Sequence, residues 1–461
     1  MKRTLALDTA QKVGQKVTLF GWVNSRRDHG KVIFIDLRDR SGLVQVVIRG
    51  LEGELHGEDV IKIEGAVEHR KKGNENPDLP TGAVEVIAER VDILAKSETP
   101  PFDIYGAGLD IEEALRLKYR YLDLRRPRLQ RNLRIRSDYV QAAREYLFGK
   151  DFTEIETPIL TKSTPEGARD FIVPSRLYPG NFYALPQAPQ QYKQLLMTAG
   201  FERYFQIARA LRDEDPRADR GFEHTQIDIE MSFVTREEVM RTVEEMTIHA
   251  LKKIGAKIAK KPFPVFTYKE AIKKFGSDRF DLRSEKEKKS GVLALAWVIE
   301  FPFFEKNKEG EWTFTHNPFS APLDEQSEKL LLKKKKVGEI ITSQYDLVAN
   351  GLEVAGGSIR SNRPEVLTAV FEVLGYKRSE IEKKFGHMLK AFRFGTPPHG
   401  GCAQGFERLL MAHLGEEYLR EVQAFPMTGS GRTAVMDAPD EVSEEQLKEL
   451  GIEIKKKREK K

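Results

Sequence analysis

Up to about residue 96, apolar and polar positions alternate in short runs rich in β-branched residues, at 17–23, 31–37, 43–48, 60–67 and 83–94. Turn signals such as Asp28-His29-Gly30 and Arg40-Ser41-Gly42 separate them, and a period of two is the mark of half-buried strands. Five strands in so short a stretch predict a small closed β-barrel, of which the OB-fold is the commonest form. In the second run Ile33, Ile35 and Leu37 share one face, and Phe34 and Asp36 share the other. With the isoleucine face inward, Phe34 points out, and Gln45 of the next strand joins it, with Arg26 and Arg27 in the adjoining loop.

Beyond Lys118 the period changes. Helical stretches at 134–148, 237–253 and 363–374 alternate with strand-like runs at 204–208 and 225–231. That order predicts an α+β domain on a mainly antiparallel sheet flanked by helices, and not regular βαβ winding. Thr99-Pro100-Pro101 breaks the chain between the two patterns. The expected organisation is a barrel domain at 1–96, a hinge at 97–117, the α+β domain at 118–445 and a basic tail at 446–461. The charged stretch at 283–290 has no apolar period and reads as a surface linker. Lys333-Lys334-Lys335-Lys336, after Leu330-Leu331-Leu332, reads as a helix end with a solvated basic face.

Composition narrows the class. With 461 residues, 40% hydrophobic and 32% charged, the chain has material for more than one globular core. It contains no apolar run of about 18 residues and no charged-then-apolar leader, so no membrane partner is expected. A single cysteine, Cys402, excludes an internal disulfide framework and fits a cytoplasmic location. The net charge of +5 permits a nucleic-acid partner without demanding one, because part of it sits in the tail run that starts at Lys455.

The common nucleotide signatures are missing: there is no G-x-x-x-x-G-K-[ST], no dinucleotide-binding glycine run after a strand, no H-E-x-x-H and no metal-spaced cysteines. Gly429-Ser430-Gly431-Arg432 lacks the lysine and reads as a loop. Three charged elements stand out instead. Arg212-Asp213-Glu214-Asp215 follows a strand-like run; Gln226, Asp228 and Glu230 face one way in another; and Gly400-Gly401-Cys402-Ala403-Gln404-Gly405 leads into a helix carrying Arg408. Taken singly, the second is either a solvent-exposed face or a polar site, and the third only a helix start. On the barrel, an outward aromatic beside an amide and two guanidiniums suits single-stranded nucleic acid; the alternative is a second core face around Phe34.

Together these elements resemble the motifs of class II aminoacyl-tRNA synthetases: 152–158, ending at Pro158, resembles motif 1, 205–230 motif 2, and 401–408 motif 3. Longer strings narrow the resemblance to the bacterial-type aspartyl-tRNA synthetases. Among them are Lys118-Tyr119-Arg120-Tyr121-Leu122-Asp123-Leu124-Arg125-Arg126-Pro127, Gln187-Ala188-Pro189-Gln190-Gln191-Tyr192-Lys193-Gln194 and Asn350-Gly351-Leu352-Glu353-Val354-Ala355-Gly356-Gly357-Ser358-Ile359-Arg360. The similarity runs over nearly the whole chain. It implies an OB-fold anticodon-binding domain, a class II catalytic domain, and ATP-dependent attachment of aspartate to tRNA(Asp) through an aspartyl-adenylate. It also implies a homodimer joined near Pro158.

By the same resemblance Arg212 grips the ATP α-phosphate, Arg408 lies against adenine and near the γ-phosphate, and Arg220 holds the phosphate tail. His224 stacks on adenine, Glu214 approaches adenine or the tRNA end, and Asp346 and Glu353 hold Mg²⁺. Arg360, Lys193 and His316 take the aspartate side chain, while Asp228, Gln190 and Glu166 hold its ammonium. Glu166-Gly167-Ala168-Arg169-Asp170 resembles the family's mobile substrate-covering loop. On the barrel, Arg26, Arg27, His29, Phe34 and Gln45 would read the anticodon.

The chain departs from that family in several places. The bacterial-type enzymes carry an inserted domain after the counterparts of Phe275-Gly276-Ser277-Asp278 and Asp281-Leu282-Arg283; here a linker at 284–291 replaces it. His224 stands where phenylalanine is usual, which predicts ATP binding that varies as the imidazole charges. Ala188 replaces a usual serine, and His29 resembles the residue of relaxed members that also charge tRNA(Asn). The rival readings are an asparaginyl-tRNA synthetase, opposed by Arg360 with Lys193, and an inactive RNA-binding paralogue, opposed by the presence of Arg212, Glu353 and Arg408.

Overall fold

A computed structural model describes residues 2–30, 32–50, 54–163 and 167–455. The chain divides into two compact units, Met1–Asp103 and Ile104–Lys461.

In the first unit the strands Lys16–Asp28, Val32–Arg38, Leu43–Arg49, Val60–His69 and Val84–Ala95 close into the expected barrel. Neighbours run antiparallel except the third and fifth strands, which pair parallel. Alternation supplies the core: Leu19, Ile35, Leu37, Val46, Ile61 and Val86 are buried together. One expectation is corrected. Arg26 and Arg27 lie within the first strand and not in a loop, because Arg27 pairs with Phe34 and Asp28 with Ile33 across the hairpin. Cross-strand pairing outweighs the poor strand propensity of a charged run. The turn itself falls where expected, with Gly30 at φ +74° and its N–H donating to Asp28 Oδ1 at 2.9 Å.

The second unit is built on an eight-stranded sheet in the order Val265–Thr267, Leu295–Ile299, Tyr345–Ala349, Leu352–Ile359, His399–Gln404, Glu223–Ser232, Arg203–Leu211, Thr153–Glu154. Only the two end pairs are parallel. One face packs on the helices Pro127–Phe148 and Arg236–Lys253 through Tyr139, Leu147, Val243, Met246, Ile227 and Ile229. The helix expected from 134 starts two turns earlier. Pro127 occupies its first turn, where a missing N–H costs nothing, and the arginines that follow hide the apolar period.

Gly400 to Gln404 lead into the helix Phe406–Leu414 as expected, and they do so as a central strand, His399–Gln404. One further reading changes. The stretch read as linker is exposed, but it contains the short helix Glu285–Lys289, started by a capping box between Ser284 and Glu287. The helix Glu325–Lys333 ends at Lys334 in the left-handed conformation, as the lysine run suggested. Met427 bridges Thr433 across the Gly429 to Arg432 loop. Of the basic tail, Lys456 to Lys461 lie outside the described residues. Among the described residues no helix is long and apolar enough to cross a membrane.

Candidate active site

The strand Glu223–Ser232 sits between Arg203–Leu211 and His399–Gln404. Its alternate positions Ile227 and Ile229 enter the core, which turns Gln226, Asp228 and Glu230 to the opposite face. There they are 3%, 0% and 0% exposed, so the solvent-exposed alternative is excluded. They underlie a cleft of about 430 Å³.

At its floor Lys193, from the helix Gln190–Thr198, contacts Asp228 Oδ1 and lies 3.1 Å from Glu230 Oε2. Arg360, just beyond the strand Leu352–Ile359, grips Glu230 with Nε at 3.0 Å and Nη2 at 3.2 Å, and its Nη1 donates to Ser358 Oγ at 2.8 Å. Two cations thus share one carboxylate. Burial alone would raise the Glu230 carboxyl, but Arg360, Lys193 and His399 hold it at about 2. Burial pushes the Asp228 carboxyl up against the pull of Lys193. The glycine at 401 has a steric cause: a Cβ there would stand 2.1 Å from both Ile229 O and Glu230 Oε2. Beside the quartet, Gln190 Nε2 is buried with no hydrogen-bond partner among the described residues, a donor that lacks an acceptor oxygen.

A second cluster forms across the neighbouring strands. Asp346 pairs with Gly356 in the sheet, and a Cβ on Gly356 would lie 3.0 Å from Asp346 Oδ1 and 3.8 Å from Glu353 Oε1. The missing side chain therefore leaves space in which the two carboxylates converge. Asp346 accepts from Gln344 Nε2 at 2.6 Å and meets His316 Nε2 at 2.8 Å; Glu353 meets Arg279 Nη2 at 2.7 Å. Burial and then Asp346 push the Glu353 carboxyl up. Burial would lower His316, but Asp346 and Glu353 raise it to about 9, so it is an imidazolium at neutral pH. No cage of three or more metal-ligating side chains forms among the described residues. Two carboxylates with room beside them suit Mg²⁺, which completes its shell with water and phosphate oxygens.

The remaining arginines rim the cleft. Arg212 Nε donates to Gln187 O at 3.3 Å, Arg220 pairs with Glu214 at 2.7 Å, and Arg408 lies 3.3 Å from Asp219 Oδ2. His224 lies among them. Burial first, then Arg212 and Arg408, push it down to about 3, so the expected charging near neutral pH is not found. The Gln187 amide makes a reciprocal pair with the Ala168 backbone, both bonds at 2.9 Å. Glu166 lies outside the described residues.

Every described residue that the sequence assigned to ATP or to aspartate borders this one cleft, with Asp346 held just behind His316. Sequence reasoning gave no role to Glu230, although the alternation already placed it beside Asp228. It missed Asp219 and Arg279 as partners of Arg408 and Glu353, and no local pattern signals either.

On the barrel, His29 meets Phe34 edge-on with ring centroids 5.6 Å apart. Arg27 reaches Gln45 Oε1 at 3.2 Å and Asp36 at 3.5 Å, and Arg26 pairs with Asp28 at 2.7 Å. Gln45 is only 7% exposed, its amide also donating to Glu85 at 2.7 Å, so it is covered where the sequence put it on the open face.

Residues 112–429 match the family described as class II tRNA synthetases (D, K and N), and residues 17–94 match the OB-fold nucleic acid binding domain. An aspartate–tRNA(Asp/Asn) ligase of Rubrobacter xylanophilus is 41% identical over 96% of this chain and 95% of its own. A ligase of the same name from Halothermothrix orenii is 40% identical over 97% of each. The first alignment spans 577 positions against a chain of 461 residues, so that relative carries a long stretch with no counterpart here. Among solved structures, the asparaginyl-tRNA synthetase of Pyrococcus horikoshii in complex with asparaginyl-adenylate has a TM-score of 0.74 at 23% identity, covering 93% of this chain and 98% of that one. The aspartyl-tRNA synthetase of Entamoeba histolytica has 0.72 at 22%, covering 92% and 91%. At these identities the two structures show the shared fold.

Proposed function

This chain belongs to the class II aminoacyl-tRNA synthetases, among the aspartate–tRNA ligases, and from that premise we propose which of its residues carry out the reaction. The chain joins aspartate to tRNA with ATP. An oxygen of the aspartate α-carboxylate attacks the α-phosphorus and pyrophosphate leaves. A ribose hydroxyl of the tRNA end then attacks the activated carbonyl and AMP leaves. The first step needs positioning and charge neutralisation more than proton transfer.

Arg212 holds the α-phosphate, with Arg220 and Arg408 toward the tail, since the planar guanidinium can bind two phosphate oxygens at once. His224, a neutral imidazole, stacks on adenine, and Glu214 stands by for adenine or the tRNA end. Asp346 and Glu353 would hold Mg²⁺, which when bound neutralises charge on the phosphates.

One observation carries the amino-acid assignment: two buried cations share Glu230, so neither spends all its donors on it. Arg360 has five N–H donors and uses three, which leaves two for the β-carboxylate of aspartate. An asparagine amide in their place would leave buried positive charge poorly paired, at a cost of several kcal/mol by order of magnitude. His316 adds positive charge and Asp228 faces the ammonium; Gln190, expected at the ammonium, instead offers an unpartnered N–H donor among the described residues, which suits a carboxylate oxygen of the substrate. Arg360→Met is expected to lower aspartate-dependent kcat/KM by at least about a hundredfold while the ATP KM changes little. Equal losses for both substrates would remove Arg360 from the amino-acid site.

The wider assignments follow the same logic. The barrel at 1–96 reads the anticodon through Phe34, His29, Arg26, Arg27 and the edge of Gln45; 118–445 carries the chemistry, joined by the hinge at 97–117. His29 and the named relatives support charging of tRNA(Asn) as well as tRNA(Asp). A homodimer through the motif 1 region is supported by Ile159 and Leu160, 47% and 52% exposed directly after Pro158. We place the enzyme in the cytoplasm, where tRNA is charged and the thiol of Cys402 stays reduced.

A further inference from the structure

The segment Gly276 to Arg283 runs from the helix Tyr268–Phe275 to the short helix Glu285–Lys289, and it is built more firmly than a loose connection requires. Gly276 caps the helix Tyr268–Phe275 in the left-handed conformation at φ 74°. The N–H of Arg279 donates to Ser277 Oγ at 3.0 Å. Phe280 is 6% exposed and stacks on Phe275 with centroids 4.1 Å apart, with Phe266 edge-on at 5.4 Å. Its carbonyl accepts the Gly351 N–H at 3.1 Å, which ties the segment to the turn just before Glu353. Arg283 then clasps Asp281 with two nitrogens, at 3.0 and 2.8 Å.

Between these anchors the Arg279 side chain is 49% exposed and reaches the cleft, where Nη2 lies 2.7 Å from Glu353 Oε2. Two other arginines on the same rim are also held by carboxylates: Arg220 by Glu214, and Arg408 by Asp219. Arg279 completes a set in which each guanidinium waits on an internal anion. A half-exposed arginine gains little from one ion pair of this kind, so stability does not explain a segment anchored on both sides of it.

We infer that Arg279 is a positioning residue for the triphosphate tail of ATP, paired with Glu353 until the nucleotide enters and then handed over to the β- or γ-phosphate. The inference rests on ATP occupying this cleft with Glu353 turned to the phosphates. Once Glu353 is engaged there, its pair with Arg279 is no longer needed, and the released fork meets a more highly charged partner within reach.

The test is binding, measured by calorimetry on the full chain with ATP in the presence of Mg²⁺ and, separately, with AMP, which lacks the tail. Arg279→Ala is expected to weaken ATP about tenfold and to leave AMP within about twofold, with Arg279→Lys in between. Unchanged ATP affinity in Arg279→Ala would overturn the inference, as would an equal loss for ATP and AMP. Arg408→Ala, run alongside, separates the two levels of the argument. If it weakens ATP while Arg279→Ala does not, only the inference on Arg279 fails; if neither weakens ATP, the placement of ATP in this cleft fails with it. Thermal melting of each variant checks the fold, and a variant that melts like the parent yet keeps full ATP affinity counts against the proposal.

Discussion

Glu230 is the side chain on which the cleft most depends, because Lys193 and Arg360 both lean on it from inside the protein. Glu230→Gln would leave an uncompensated buried cation, and a loss of about 3–5 kcal/mol is expected in urea unfolding. Its carboxyl is held at about 2, below the usual 4.5, so the stability it contributes is present above pH 4.5 and is lost as pH falls through 2. His224 behaves differently. Held at about 3, it stays neutral across the working range, and the ATP KM should be flat from about pH 5.5 to 8. A KM that changes severalfold near pH 6.5 in the wild type, and not in His224→Phe, would contradict that. The sequence showed which residue types gather here, since charged groups at strand alternation are visible in one dimension. It did not show the protonation of His224 or the partners of Glu353 and Arg408, because these arise from burial and from segments far apart in the chain.

At the level of elements, the glycines of the strand His399–Gln404 hold the site together. Their sequence reads only as a helix start because glycine has low strand propensity, but the strand is wedged between two others with no room for a side chain at Gly400 or Gly401. Gly401→Ala is expected to cost more than about 3 kcal/mol and to lower the melting temperature, since its Cβ would meet both backbone and the Glu230 carboxylate. The barrel strands and the helix Arg236–Lys253 were legible, the first from alternation and the second from its helical pattern, and the structure adds the Thr235–Glu238 capping box that starts it. The start of the helix Pro127–Phe148 was not, because ion pairs replace the apolar stripe there: Arg128 binds Glu416 at 2.6 Å and Glu421 at 2.8 Å. The short helix after Ser284 carries no residue of the cleft, and Ser284→Ala should cost about 1 kcal/mol at most and leave pyrophosphate exchange unchanged.

For the whole molecule, strings spread along the chain carry the likeness to the family, and the fold of both units agrees with it. The covering of Gln45 depends on Arg27 and Glu85 of other strands, and the strand position of Arg26 and Arg27 on pairing across the hairpin, which alternation alone does not specify. Relaxed specificity belongs to this scale: transcripts of tRNA(Asp) and tRNA(Asn) should both be aspartylated, and His29→Leu should reduce charging of tRNA(Asn) more than that of tRNA(Asp). Charging of tRNA(Asp) alone by the parent protein would reject it. The central claim is that this cleft activates aspartate, and ATP–pyrophosphate exchange tests it most directly, with aspartate, asparagine and lysine run in parallel on the full chain with Mg²⁺. Exchange with aspartate alone is the predicted result; exchange with asparagine, or with none of the three, would contradict it.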